Sequence, residues 1–328
     1  MTTARTFVSF GEIMLRLSPP ERGSILTATG YDACYGGTEA NLLACLSAHG
    51  HPTRYVTALP NNALGDAAVR HLMAGGIDTS CVVRQGDTMG MYFYEAGFGA
   101  RPAQVMYHRR HSAVTDLGIG SVDMDAVFAD CTCFHISGIS FALSESVRQL
   151  CFALLREAKQ REIPVSFDCN YRSRLWSVEQ AGEVYREILP FVDILFCAPI
   201  DLEAFFHTDA EHFYQQYRTP LLVVRQRNIV AEDRHTAGAA IYRAQGAETV
   251  CLASEEISFP VLERVGSGDA FAAGVLHGLW SCPDGYADAL HYGMVCFSLK
   301  HTVAGDTLYL KPEAIQAHLN HEPKDVSR

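Results

Sequence analysis

Along this chain short apolar runs alternate with amphipathic ones, and that alternation narrows the choice of fold more than any motif does. Phe7 to Phe10, Arg54 to Ala58, Cys133 to Ser137, Val165 to Asp168, Ile194 to Cys197 and Leu222 to Arg225 are brief and rich in β-branched and aromatic residues, the pattern of strands buried on both faces. Between them the apolar spacing becomes helical. In Ser144 to Arg161, Val147, Leu150, Cys151, Leu154, Leu155 and Ala158 recur at i, i+3, i+4, with Arg148, Arg156, Glu157 and Lys159 on the other face and Ser144 placed as N-cap. The order β-α-β-α predicts an α/β fold with a mostly parallel central sheet, helices on both faces and ligands at the carboxyl ends of the strands. Two stretches break the rhythm. Ile13 to Tyr35 and Met89 to His108 mix Tyr and Phe with Gly and Pro without helical period, which predicts small antiparallel strands projecting as a lid. No linker interrupts the rest, so residues 1–328 read as a single domain carrying a lid from insertions at about 13–35 and 89–108.

Charge and composition exclude several function classes. A formal charge of −11, with 26 Lys and Arg against 37 Asp and Glu, is wrong for a nucleic-acid partner. No apolar run approaches the roughly 20 residues that cross a bilayer, and the N-terminus lacks a signal-peptide core, so no membrane role and a cytoplasmic location are expected. The eleven cysteines are odd in number, fall mostly within apolar runs as in Cys131-Thr132-Cys133-Phe134, and include no Cys-x-x-Cys pair, which favours free thiols over disulfides or zinc. His108 and His111 lack the cluster a metal site needs. None of the four lysines stands in a Gly-x-x-x-x-Gly-Lys loop, and the glycines near the C-terminus miss the dinucleotide-binding spacing.

Four segments carry candidate chemistry. In Gly266-Ser267-Gly268-Asp269-Ala270-Phe271 two glycines open a helix predicted from Asp269 to Trp280, so free N–H groups and the positive helix end meet at one point beside a carboxylate. An anion cradle next to a general base suits phosphoryl transfer to an alcohol, although the same four residues also cap ordinary helices. Tyr35-Gly36-Gly37-Thr38-Glu39-Ala40-Asn41 opens another helix; either a ligand approaches the glycines and Asn41 binds hydroxyls, or the segment is a turn with Thr38 as N-cap. Asp168-Cys169-Asn170-Tyr171-Arg172-Ser173-Arg174 follows a strand, and is either an anion-binding loop or a surface loop with a structural Asp. Tyr107-His108-Arg109-Arg110 places an aromatic ring and guanidinium groups on the lid, where a solvated edge strand is the alternative.

The order of these pieces, together with Arg264-Val265 before the first glycine and Lys300-His301-Thr302-Val303-Ala304-Gly305-Asp306 near the end, resembles the ribokinase-like or PfkB carbohydrate kinases. The closest resemblance is to their 2-keto-3-deoxygluconate kinase branch. It covers nearly the whole chain and implies a three-layer α/β/α sandwich with a small β-strand lid. It further implies an ATP- and Mg2+-dependent kinase acting on a primary hydroxyl of 2-keto-3-deoxygluconate or a related keto-deoxy sugar acid. By this resemblance Asp269 is the general base, and Gly266, Ser267 and Gly268 form the anion hole. Gly36, Gly37 and Asn41 bind sugar hydroxyls, Tyr92 and Tyr107 close over the substrate, and Arg109 and Arg172 hold its carboxylate. Arg225, standing after a strand, lies near the phosphates, with Gly266, Gly268, Ala272 and Ser298 toward the nucleotide. A homo-oligomer formed through the lid is expected.

Departures from the family pattern accompany the resemblance. Where an Asn-x-x-Glu motif serves magnesium and its waters, this chain reads Cys197-Ala198-Pro199-Ile200-Asp201-Leu202-Glu203, leaving Asp201 and Glu203 as candidates acting through water. An Asp-Thr pair is replaced by Glu263-Arg264, which removes the expectation of potassium activation. A kinase of a neutral sugar such as fructose or ribose, and a catalytically weak sugar-binding regulator, are the alternative functions.

Overall fold

The computed structural model describes residues 5–98, 101–217, 219–246 and 248–319. Its strands in chain order are β1 (Thr6–Phe10), β2 (Met14–Ser18), β3 (Asp32–Gly36), β4 (Thr53–Leu59), β5 (Val82–Arg84), β6 (Met91–Glu95) and β7 (Gln104–His108). After these come β8 (Cys131–Ser137), β9 (Val165–Asp168), β10 (Ile194–Cys197), β11 (Leu221–Ala231), β12 (Arg234–Gln245), β13 (Glu248–Ala253) and β14 (Ile257–Pro260). The main sheet has the order β13-β12-β11-β10-β9-β8-β1-β4-β5, with β14 beside β12. Pairing is parallel from β11 through to β5. It is antiparallel where β12 meets β11, β13 and β14.

Alternation of side chains across the pleat explains why these strands are apolar throughout. Phe7, Cys133, Ile194 and Phe196 pack under the helices α1 (Thr38–Ala48), α4 (Ser267–Ser281) and α5 (Tyr286–Lys300), whereas Val8, Phe134 and Leu195 pack under α2 (Glu145–Gln160) and α3 (Pro199–Phe206). Each strand therefore serves two cores, giving the three layers the sequence predicts. Ser144 caps α2 by accepting the Val147 N–H at 3.2 Å, as its spacing implies.

A second sheet of order β3-β2-β6-β7 is built from the two stretches that break the β-α rhythm. It is not wholly antiparallel: β2 and β6 run parallel, because β6 arrives after a long excursion through the main sheet rather than by a hairpin. The larger surprise is β11. It runs on to Ala231 instead of stopping at Arg225, since the hairpin with β12 supplies partners beyond the edge of the parallel sheet. Arg225 thus lies within a strand, not after one.

The chain lays β4 on one side of β1 and later returns with β8 on the other, so the sheet reverses direction at β1. Crevices at the carboxyl ends of strands form at such reversals. Glu12 beyond β1, Ile139 beyond β8, Asn170 beyond β9 and Ala198 beyond β10 all line one cavity of about 520 Å³ there.

Candidate active site

Two glycine turns frame the cavity, each fixed by close approach. Gly266 is the N-cap of α4 with φ +78°, and a Cβ there would collide with the main-chain oxygen of Asp306. At Gly36 a Cβ would strike the Asp306 carboxylate, and at Gly37 the carbonyl of Glu12. Thr38 does not cap α1; Gly37 occupies that position, and the Thr38 hydroxyl instead accepts from Asn170 Nδ2 at 3.1 Å. The anion hole is narrower than the sequence suggests. Ser267 N–H turns back to the Arg264 carbonyl at 3.2 Å, while the Gly266 and Gly268 amides have no backbone acceptor among the described residues. The left-handed cap forces that return bond, and it leaves the glycine amides as the open donors.

Asp269 stands in the first turn of α4, 8% exposed. Its Oδ2 accepts from Asn41 Nδ2 at 2.8 Å, and Asn41 Oδ1 accepts in turn from the Thr307 hydroxyl at 3.0 Å. A helix N-terminus alone would acidify this carboxyl. Here burial dominates and pushes it up to about 7, with Asp168 and Glu39 adding repulsion against the lowering effects of the Asn41 amide and Arg172. The group is thus poised to take a proton near neutrality. Glu39 itself is buried behind it, holding the Ser137 hydroxyl at 2.6 Å and kept above the usual carboxylate range by burial. Asn41 lines the cavity and at the same time reaches the base, so its role includes holding Asp269. We expect Asn41→Ala to move the acidic limb of kcat/KM to higher pH, because the lost donor favours the carboxylate; a pH–rate profile measures the shift, and an unmoved limb would separate Asn41 from the base.

On the lid side, the Tyr92 hydroxyl donates to Asp306, and its ring lies 5.8 Å from that of half-exposed Tyr107. Asp306 also accepts from Arg16 Nη1 at 2.6 Å, and Arg16 reaches Glu263 as well, so a buried ion cluster ties β2 to the loop before α4. The sequence motif ending in Asp306 marked this residue without a role; its packing against Gly36, Gly266 and Tyr92 supplies one. Arg109 and Arg172 both line the cavity but in different states. Arg109 is paired with Glu12, whose other oxygen accepts from Ser112 at 2.6 Å, whereas exposed Arg172 donates, among the described residues, to the carbonyls of Asn170 and Tyr171 alone, at 3.2 and 3.0 Å.

Toward β10 and β11, Asp168, Asp201 and Arg225 line the same cavity. Burial raises Asp168 to about 6 and raises Asp201, and it lowers Arg225 to about 10. Asp201 also accepts the Ala198 N–H at 2.8 Å, capping α3. Three candidates fall elsewhere. Glu203, two residues past Asp201 and so roughly 200° around the helix, lines a separate cavity against Gln226 and Asn228. Ala272 is buried in the core beneath α4, and Ser298 is buried on α5 with its hydroxyl bonded to the Val295 carbonyl at 3.0 Å. Neither lines the cavity, because close packing of α4 on α5 through Gly274 and Gly293 closes that seam.

Residues 4–311 match the pfkB family carbohydrate kinases. A 2-dehydro-3-deoxygalactonokinase of Haloferax volcanii is 31% identical over 327 residues, covering 98% of each chain. The crystal structure of 2-dehydro-3-deoxygluconokinase from Thermotoga maritima aligns with a TM-score of 0.90 at 31% identity, covering 95% of this chain and 97% of that one. A PfkB family carbohydrate kinase from Listeria grayi aligns at 0.91 and 32% identity, covering 96% and 100%. A buried carboxylate at a glycine-capped helix, facing a four-stranded β lid across one cavity, agrees with that match over nearly all of the sequence: this protein belongs to the PfkB family of carbohydrate kinases.

Proposed function

We propose that this enzyme transfers the γ-phosphoryl group of ATP to a primary hydroxyl of a keto-deoxy sugar acid, 2-keto-3-deoxygluconate foremost. The observation that carries the proposal is Asp269, a carboxyl raised to about 7 beside the open amides of a helix start. In the reaction the sugar hydroxyl oxygen bonds to the γ-phosphorus in line with the departing β,γ-bridging oxygen, and its proton passes to Asp269. The amides of Gly266 and Gly268 face the charge on the phosphoryl oxygens. Arg172, which forms no ion pair among the described residues, offers its guanidinium for the sugar's carboxylate, and Tyr92 and Tyr107 cover the sugar from the lid. The half-exposed edge of β7, with Met106 and Tyr107, is the surface proposed for pairing of subunits.

A coupled assay of ADP release tests the reading. The panel is 2-keto-3-deoxygluconate, its galactonate epimer, fructose and ribose, and the sugar acids should be preferred. The epimer belongs there because relatives of both kinds resemble this chain. Equal turnover of fructose or ribose would favour a neutral-sugar kinase, and no turnover on any sugar a regulatory homologue.

No group of three or more His, Cys, Asp or Glu among the described residues is arranged to hold a metal ion alone. Asp168 and Asp201 nevertheless present hard oxygen donors whose ionised forms burial disfavours, a setting that a phosphate-bound, partly hydrated Mg2+ relieves. When bound, the ion neutralises phosphate charge. We expect Asp201→Ala to raise the magnesium concentration for half-maximal rate several-fold, and Glu203→Ala, on the far side of the sheet, to leave it unchanged. A magnesium titration of both variants checks this, and identical behaviour of the two would remove Asp201 from the metal's surroundings.

A further inference from the structure

Lys300, the last residue of α5, has no exposed surface, and none of the steps above uses it. Burying an ammonium is costly unless neighbouring groups need its charge. Among the described residues its side chain donates to the Val303 carbonyl alone, at 3.2 Å, and the need for its charge comes from the ion cluster close by. Glu263 and Asp306 bring two carboxylates there, and each of their four oxygens already has a donor. Arg16 reaches one oxygen on each, the Gly305 N–H reaches Glu263 Oε2 at 3.1 Å, and the Tyr92 hydroxyl reaches Asp306 Oδ2. Two anions thus share one guanidinium. The other groups that face the cluster add no charge near neutrality: burial holds Cys34 on β3 and Tyr92 and Tyr94 on β6 above their ordinary values, and it keeps His71 below its own. Arg264 lines the open cavity and, among the described residues, forms no ion pair with either carboxylate. Lys300 is the second cation. Burial lowers it below its ordinary value, while Glu263, Asp306 and Asp269 favour its charged form.

This cluster lies directly behind the start of α4. The His301 carbonyl, one residue past Lys300, accepts the Leu262 and Glu263 N–H groups at 2.7 and 3.1 Å, and the Asp306 main chain packs against Gly266 with no room for a Cβ. The loop that ends α5 therefore supports the turn carrying the open Gly266 and Gly268 amides. A net negative charge buried there would oppose the phosphoryl oxygens those amides face, and would make Asp269 harder to ionise. We propose that Lys300 is a positioning residue for phosphoryl transfer, balancing the buried Arg16–Glu263–Asp306 cluster so that the helix start attracts an anion and Asp269 can act as base. This rests on the kinase reading above.

Two substitutions change the balance in opposite directions. Lys300→Met keeps the apolar stem and removes the charge, whereas Asp306→Asn keeps an oxygen for Arg16 and offers an amide to the Tyr92 hydroxyl, which can accept as well as donate. Both single variants and the double variant are compared in the full-length enzyme by steady-state kinetics across pH and by thermal melts. In Lys300→Met, kcat for the sugar acid should fall about tenfold or more while its KM changes little, and the acidic limb of kcat/KM should move to higher pH by about one unit, because a lost cation disfavours the Asp269 carboxylate. The double variant should regain most of the rate, return the limb and melt above Lys300→Met. A wild-type rate and limb in Lys300→Met would overturn the proposal. So would a double variant whose losses are the sum of the two singles, which marks Lys300 as packing alone. If Lys300→Met does not fold, a folded and active double variant supports the balance, and a double variant that also fails to fold overturns it. The melting comparison needs no substrate. A wild type that phosphorylates no sugar, with melting recovered in the double variant, ends the kinase reading and leaves the balanced cluster; phosphorylated sugar acids with no recovery leave the kinase reading and remove the role of Lys300.

Discussion

Asp269→Asn should bind sugar and nucleotide normally, lose turnover by roughly a hundredfold or more, and unfold at a higher temperature than the wild type at pH 8. The first effect follows because an amide cannot accept the hydroxyl proton. The second follows from burial. Asp269 has an ordinary value of 3.8 and is raised to about 7 in the fold, so ionising it costs more in the native protein than in the unfolded chain. That cost grows as pH rises from about 4 to 7 and is fully present above 7. An asparagine carries none of it and still offers an oxygen to Asn41 Nδ2. The gain is on the order of 1–3 kcal/mol at pH 8 and vanishes below pH 4, where both side chains are neutral. Melting curves at pH 8 and pH 4 with single-turnover rates measure both effects. Near wild-type kcat would place the base elsewhere, and an unchanged melting temperature at pH 8 would show that Asp269 is not the strained carboxylate its surroundings make it.

The same contrast between local pattern and distant contact decides how much of this enzyme its sequence displays. β9 and β10 fall on the predicted residues because apolar runs buried on both faces need only local reading. β11 does not, since whether a strand continues past Arg225 depends on a partner, β12, that arrives by hairpin. That Gly266 and Gly37 open the helices carrying Asp269 and Asn41 was legible because glycines before an apolar helical run are a local signal. Glu203 was misplaced because sharing a motif with Asp201 says nothing about helix phase, and two residues of α3 separate opposite faces of the sheet. Ala272 and Ser298 went the same way: their distance from the cavity is set by how closely α4 approaches α5. Asp306 could not be weighted at all from sequence, since its importance lies in touching Gly36, Gly266, Tyr92 and Arg16, residues spread over most of the chain.

Arg172→Ala should raise KM for the sugar acid by about tenfold or more and leave KM for any neutral sugar nearly unchanged, whereas Arg109→Ala should mainly cost stability. Two arginines from separate segments invite the idea of a symmetrical clamp, but their surroundings differ. Arg109 is already neutralised by Glu12, and both side chains are nearly buried, at 9% and 3% exposure. Removing it leaves a carboxylate buried without its cation, which costs about 3–5 kcal/mol when no replacement partner exists. Here Ser112 still donates to Glu12, so the loss should sit at the low end. A substrate carboxylate would have to compete with Glu12 for Arg109, and gains little by doing so. Arg172 feels Asp168, Asp201 and Asp269 across the cavity but, among the described residues, forms no ion pair. Among the described residues its guanidinium hydrogen-bonds to backbone carbonyls alone, it is exposed in the open cavity, and an incoming carboxylate can bind it without displacing a paired one. Exposure limits the gain to the screened range until the lid covers the site, which is why the effect should appear in the sugar-acid KM and not in melting temperature. Steady-state kinetics with 2-keto-3-deoxygluconate and fructose, alongside thermal melts of both variants, separate the two roles. If Arg109→Ala raises the sugar-acid KM as much as Arg172→Ala while melting like the wild type, then Glu12 releases Arg109 to the substrate and the carboxylate is shared between them.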